Sequence, residues 1–335
     1  MNFAQYWLTP SLPKPTKSYF SYALCVGIII LSVSSLKYGF GYNVLDFNQD
    51  KSYNSSKSEI VMHSSLNIIN LDEPITENFT CLKTTKIFQV IRTTICLHHV
   101  TDYISSYYRR NSIFEQEAVH VLFRIFLKYP HLGLIDIGAN IGAYTMFAAA
   151  MNRFVVAIEC FRPNYMRLAK AIQIEQFQKN VILIGNALYS QLGVNLHLSN
   201  DPGNIGGQAT DNSRLTNQSS DNPYVVKTMR FDDLLPIIKK TKMRSFLLKA
   251  DIEGSEYHIF ESGRQVLDYL DIPVILVEWV WLSKNKERAT NIVNLLVNRQ
   301  YIATLDTCIP LNMTEFTNNW PMNVYWIKIN SSEIC

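Results

Sequence analysis

Residues 133–150 read GLIDIGANIGAYTMFAAA, an apolar β-rich run that breaks at a glycine turn and continues as an alanine-rich helical stretch. The turn spaces Asp136-x-Gly138-x-Asn140-x-Gly142, and a strand-to-helix turn of this kind marks the end of an open α/β sheet where ligands bind. Dinucleotide sites use G-x-G-x-x-G/A, whose middle glycine lets the backbone approach a pyrophosphate. Here that place is taken by Asn140, whose side chain would crowd a pyrophosphate. S-adenosylmethionine carries an amino-acid tail instead of phosphates. An acid at the strand end (Asp136) with an Asn in the turn suits its ammonium and carboxylate, so the turn points to the methyl donor rather than to NAD.

Downstream, short apolar runs recur: FVVAIE (154–159), VILIGNAL (181–188), SFLLKADIEG (245–254) and VILVEW (274–279), with helix-like stretches in three of the intervals. Nearly continuous apolar strands alternating with helices predict a mostly parallel sheet covered on both faces. Upstream, Val119, Leu122, Phe123 and Phe126 fall at helical spacing in 114–129, before Pro130. NLHLS (195–199) and YVVKTMRF (224–231) predict an inserted hairpin, with a mobile loop from Asn200 to Asn222 over the site. YIATLD and NVYWIKI (323–329) predict a late, partly antiparallel pair. The fold class expected from this pattern is a single doubly wound, Rossmann-like α/β domain with a mostly parallel sheet over residues 82–335.

The strand ends carry the candidate chemistry. Glu159, about twenty residues past the glycines, can accept hydrogen bonds from both ribose hydroxyls. Asn186 is placed for the adenine edge. Asp251 and Glu253 end the fourth run, where a carboxylate beside the donor methyl can take or orient an acceptor's proton, and Glu278 is a third inward candidate. Two close carboxylates can also hold a divalent cation, but no complete metal-ligand set is legible. His258 reads as a helix-surface residue.

The amino end bears on compartment. YFSYALCVGIIILSVSSL (19–36) has no charge and is long enough for one thin bilayer crossing; a cleaved signal with a small-residue site at Ser32–Ser34 and a buried helix are the alternatives. Lys14 and Lys17 precede it and Asp46 and Asp50 follow, which favours a cytoplasmic amino end. The expected order is a tail over 1–18, a signal anchor over 19–36, a lumenal stem over 37–81 and then the domain, a single-pass type II arrangement in the Golgi or ER. Sequons at Asn54, Asn78, Asn217, Asn312 and Asn330 fit a lumenal glycoprotein. Cys81 with Cys96, and Cys308 with Cys335, are candidate local disulfides, free thiols being the alternative. With net charge +3 from 31 basic and 28 acidic residues and no long basic run, a nucleic-acid partner has no landing surface.

In order, LIDIGANIGAYT, AIECFRPN, NALYS, MRFDDLL, LKADIEGSE and VEW resemble the FkbM-type methyltransferase family over roughly residues 110–285. The resemblance implies a class I methyltransferase fold for that domain and S-adenosylmethionine-dependent O-methylation, often of sugar or polyketide-like hydroxyls, and hence a small-molecule or glycan acceptor. The chain departs from the family pattern at Cys160-Phe161-Arg162, where a proline usually follows the glutamate directly. A catalytically idle binding module of the same fold and a nucleotide-linked oxidoreductase are the competing readings. The intact acids speak against the first and Asn140 against the second. Acceptor identity and oligomeric state are left open by the sequence.

Overall fold

The computed structural model describes residues 66–99, 102–199, 204–205, 207–215 and 222–334. The expected membrane anchor at 19–36 and the sequons at Asn54 and Asn217 lie outside them, as do parts of the loop expected to be mobile. Among the described residues no helix is long and apolar enough to cross a membrane.

The first strands among the described residues form an antiparallel pair, β1 (Thr80–Lys83) and β2 (Thr94–Leu97), in which Cys81 faces Cys96 and is joined to it by a disulfide. Helices α1 (Tyr103–Arg109) and α2 (Gln116–Lys128) follow, α2 burying the expected Val119, Leu122, Phe123 and Phe126. Then come β3 (Gly133–Ile137), α3 (Ala143–Ala150), β4 (Val155–Ile158), α4 (Arg162–Glu175) and β5 (Val181–Ile184). An insertion carries β6 (Ala187–Leu188), β7 (Asn195–Leu198), β8 (Thr210–Leu215) and β9 (Val225–Met229). After α5 (Leu235–Thr241) the chain completes β10 (Phe246–Ala250), α6 (Glu256–Ser262), α7 (Arg264–Tyr269), β11 (Val274–Glu278), α8 (Lys286–Val297), β12 (Tyr301–Thr304) and β13 (Asn323–Lys328).

Seven strands form one sheet in the order β12-β13-β11-β10-β3-β4-β5. From β5 to β11 all neighbours are parallel, and β13 alone runs antiparallel to both its neighbours. Strand order reverses between β3 and β10, which makes their carboxyl ends the ligand-binding crevice. Along each strand alternate residues divide between two cores. Leu134, Val155 and Leu247 pack with α2, α3 and α4, while Ile135, Val156 and Leu248 pack with α5, α6, α7 and α8. This two-sided burial explains why the runs read as continuously apolar.

Two expectations are corrected. The insertion is larger than the expected hairpin: β7 and β9 do pair antiparallel, but β9 also pairs with β6, and the polar stretch between β7 and β9 supplies β8 on the other side of β7, making a four-stranded sheet. Part of the expected stem, residues 66–81, packs on the domain. Leu71 and Ile75 are buried in its core, the Ile69 N–H donates to the Leu183 carbonyl, and Gln173 donates to the carbonyls of Leu71 and Glu73. Scattered apolar residues among polar ones conceal such a docking segment, because it packs as an irregular strip with no period.

Candidate active site

Parallel pairing in register sets Asp136 of β3 opposite Lys249 of β10. Both are buried, with Lys249 Nζ 3.7 Å from Asp136 Oδ1 and 3.3 Å from Asp251 Oδ2. The ammonium also donates to the Gly138 carbonyl at 2.9 Å. Asp251 and Asp136 oppose the burial of Lys249 and hold it charged. Asp136 in turn accepts from the Thr145 amide at 3.1 Å and its hydroxyl at 2.6 Å, satisfying an orphan N–H in the first turn of α3. Gly138 stands at φ +77°, and a Cβ there would lie 1.8 Å from the Asp251 carbonyl oxygen. Only glycine lets the β3 turn and the β10 end approach so closely.

These strand ends floor a cleft holding about 870 Å³ of empty space counted to its open mouth, room for a nucleoside-sized donor. Gly138, Asn140 and Glu159 line it from β3 and β4, and Lys249, Asp251 and Glu253 line it from β10. Gly207 and Gln208 of the insertion and Glu115 from the α1–α2 connection complete the wall. Asn140, at φ +52°, donates its amide to Glu159 Oε2 at 2.8 Å, and its own Oδ1 accepts from the Ile141 amide. A carboxylate therefore stands against the turn amide that a dinucleotide site would present to pyrophosphate. Glu159 Oε1 accepts from the Phe161 amide at 2.9 Å, and Asn164, itself bonded to His98, stands beside it. Burial raises the Glu159 pKa to about 7 against those hydrogen bonds.

Asp136 and Gly142 do not line the cleft, contrary to the cofactor-contact roles expected of them. Asp136 braces α3 and Lys249 from behind. Gly142, at φ +100°, makes room for Leu168, whose Cδ1 would lie 2.5 Å from an added Cβ. Asn186 does line it, but its Oδ1 accepts from the Asn67 amide and its Nδ2 donates to the Lys227 carbonyl, so its amide ties the amino-terminal strip to β9. Glu278 sits behind the cleft wall, grouped with Asp251 and Glu256. Burial, then Asp251 and Glu256, push its pKa to about 10. His258 is buried rather than on the surface, its ring 4.3 Å from that of Tyr189.

Three site residues escaped the sequence reading. Glu115 accepts from the Tyr144 hydroxyl at 2.8 Å, and burial, then Asp251, raises its pKa. Glu256 caps the turn after β10, and burial raises its pKa to about 7. The cation among these acids is Lys249, whose place beside Asp136 follows only from strand register.

The cleft fits S-adenosylmethionine on the chemistry of its walls. The Glu159 carboxylate lines it at the end of β4 and occupies the turn amide that a pyrophosphate would take, and the acidic surround suits a donor with a cationic sulfur and ammonium. No curated protein matches the chain. Twelve chains of known structure do. They include an rRNA methylase from Streptococcus thermophilus (13% identity, 64% of this chain and 95% of that one, TM-score 0.35). Magnesium protoporphyrin IX methyltransferase from Synechocystis PCC 6803 with bound SAM is another (10%, 69% and 86%, 0.36). A third is precorrin-6y C5,15-methyltransferase from Geobacter metallireducens (16%, 64% and 86%, 0.30). At these TM-scores the likenesses carry no argument. The methyltransferase FkbM domain profile, by contrast, matches residues 136–303, half the chain, from the β3 acid to β12. The chain belongs to the FkbM family of S-adenosylmethionine-dependent methyltransferases.

Proposed function

We propose that this methyltransferase acts on a hydroxyl of a glycan or similar small molecule in the secretory pathway, anchored as a single-pass type II protein with its domain in the Golgi or ER lumen. The observation that carries the hydroxyl reading is that Asp251 and Glu253 line the same cleft as Gly138 and Glu159. The donor, when bound, supplies an electrophilic methyl on a positively charged sulfur. Glu159 would hold the ribose hydroxyls and the Gly138 turn would receive the amino-acid end. Asp251, its Oδ2 fixed by Lys249, orients the acceptor hydroxyl. Glu253 would take the hydroxyl proton as the acceptor oxygen bonds to the methyl carbon and the carbon–sulfur bond breaks, its electron pair left on the now neutral sulfur. The Glu253 carboxyl has room because Gly207 opposite carries no side chain, where a Cβ would stand 2.8 Å from Glu253 Oε1.

Two features support the compartment. The described sequon residues Asn78, Asn312 and Asn330 are all exposed, and Cys81–Cys96 is a disulfide, a bond that persists in oxidising compartments. Mass spectrometry of glycans from cells with and without the chain tests the reading. A methyl-bearing species lost with the protein and restored by the parent, but not by Glu253→Gln, is expected; identical glycan profiles would overturn the glycan assignment.

A further inference from the structure

Behind the acceptor end of the cleft, three carboxyls from three elements converge. Asp251 follows β10, Glu256 opens α6 and Glu278 ends β11, and each offers an oxygen within 4.8 Å of the other two. Parallel pairing of β10 with β11, which sets Ala250 beside Val277, brings Asp251 alongside Glu278. Glu256 has no solvent exposure. Its Oε1 accepts from the amides of Ile252 and Gly254 at 2.8 and 3.2 Å, whereas its Oε2 is buried without a hydrogen-bond partner. Glu278 Oε2 is buried and unpartnered in the same way. Two such oxygens in one group are unusual, because a buried carboxylate oxygen ordinarily finds a donor or a cation. Lys249 does not fill that place: its ammonium is spent on Gly138, Asp136 and the Oδ2 of Asp251.

We propose that Asp251, Glu256 and Glu278 bind one hard divalent cation of the Mg²⁺ or Mn²⁺ type, and that methyl transfer depends on it. An all-carboxylate oxygen set selects hard cations over zinc or copper. The ion satisfies both unpartnered oxygens and fixes the turn between β10 and α6. Because Asp251 is both a ligand and part of the cleft wall, the ion is linked to the group that orients the acceptor. In that respect the inference rests on the hydroxyl-transfer reading above.

The test is titration of the full, chelator-stripped chain with Mn²⁺, followed by loss of the free-ion paramagnetic resonance signal, with S-adenosylmethionine affinity measured in parallel. The expected result is one competable Mn²⁺ per chain, displaced by Mg²⁺ and weakened at least about tenfold in Glu278→Gln, with donor affinity kept. Glu256→Gln retains a carbonyl oxygen for the Ile252 and Gly254 amides and gives a second variant should Glu278→Gln fold poorly. Absence of saturable binding at millimolar Mn²⁺, or equal affinity in parent and folded variants, overturns the site and leaves the acids sharing protons. Parent-rate transfer in excess chelator overturns the ion's part in the reaction while hydroxyl methylation stands. Saturable Mn²⁺ binding lost in the variants, without transfer to any hydroxyl, upholds the ion site and removes the acceptor reading instead.

Discussion

In the proposed donor site Glu159 is the residue on which recognition turns, and its burial gives it a pH signature. The donor-free folded chain holds the Glu159 proton up to about pH 7, against an ordinary 4.5. The sign follows: this group's contribution to stability is fully present below pH 4.5 and is lost as pH rises to about 7. Donor binding runs the other way, because accepting two hydroxyls requires the carboxylate. Donor affinity measured by calorimetry is expected to fall by about tenfold per pH unit below 7. Glu159→Gln is expected to bind the donor about 1–3 kcal/mol more weakly and with a flat pH profile. A parent profile that is equally flat would contradict this assignment. Glu159 was legible because it ends an apolar run at a fixed distance from the glycines. Lys249 and Glu256 were not, because one owes its role to the strand beside it and the other looks like any acid in a first helical turn.

Strands were the elements easiest to read, since burial on both faces leaves an unbroken apolar run bounded by turn residues, as in Gly133–Ile137 and Val274–Glu278. Elements with little apolar content were lost: β8 lies in a stretch of Asp, Asn, Ser and Arg. The strip at 66–79 spaces its apolar residues at no regular period, yet it buries Leu71 and Ile75 and closes on Asn186 through Asn67. Its docking gives a prediction. A chain truncated to begin at Leu82 loses those two buried side chains, at about 1.5–3 kcal/mol each, together with the Cys81–Cys96 disulfide. Denaturant unfolding is expected to show it clearly less stable than a chain beginning at Leu66. Equal midpoints would mean that the strip is an ornament and that the domain begins where the sequence suggested.

At the scale of the whole molecule, the proposed lumenal placement rests on the oxidised pair Cys81–Cys96 and on the exposed sequon residues. Expressed in a secretory host, the full chain is expected to lose mass on treatment with an N-glycosidase, and the loss should shrink stepwise in Asn78→Gln, Asn312→Gln and Asn330→Gln. A chain of unmodified mass, with its domain cleaved by protease added outside sealed vesicles, would place it on the cytoplasmic side. The central claim is that the acids at the end of β10 serve the transfer itself and not the holding of the donor. It is tested most directly by the rate of labelled methyl transfer to a confirmed hydroxyl acceptor in Asp251→Asn and Glu253→Gln, with donor affinity measured on the same preparations. The account predicts donor affinity close to the parent's and transfer slower by about 10²- to 10⁴-fold; both variants methylating at the parent rate would contradict it.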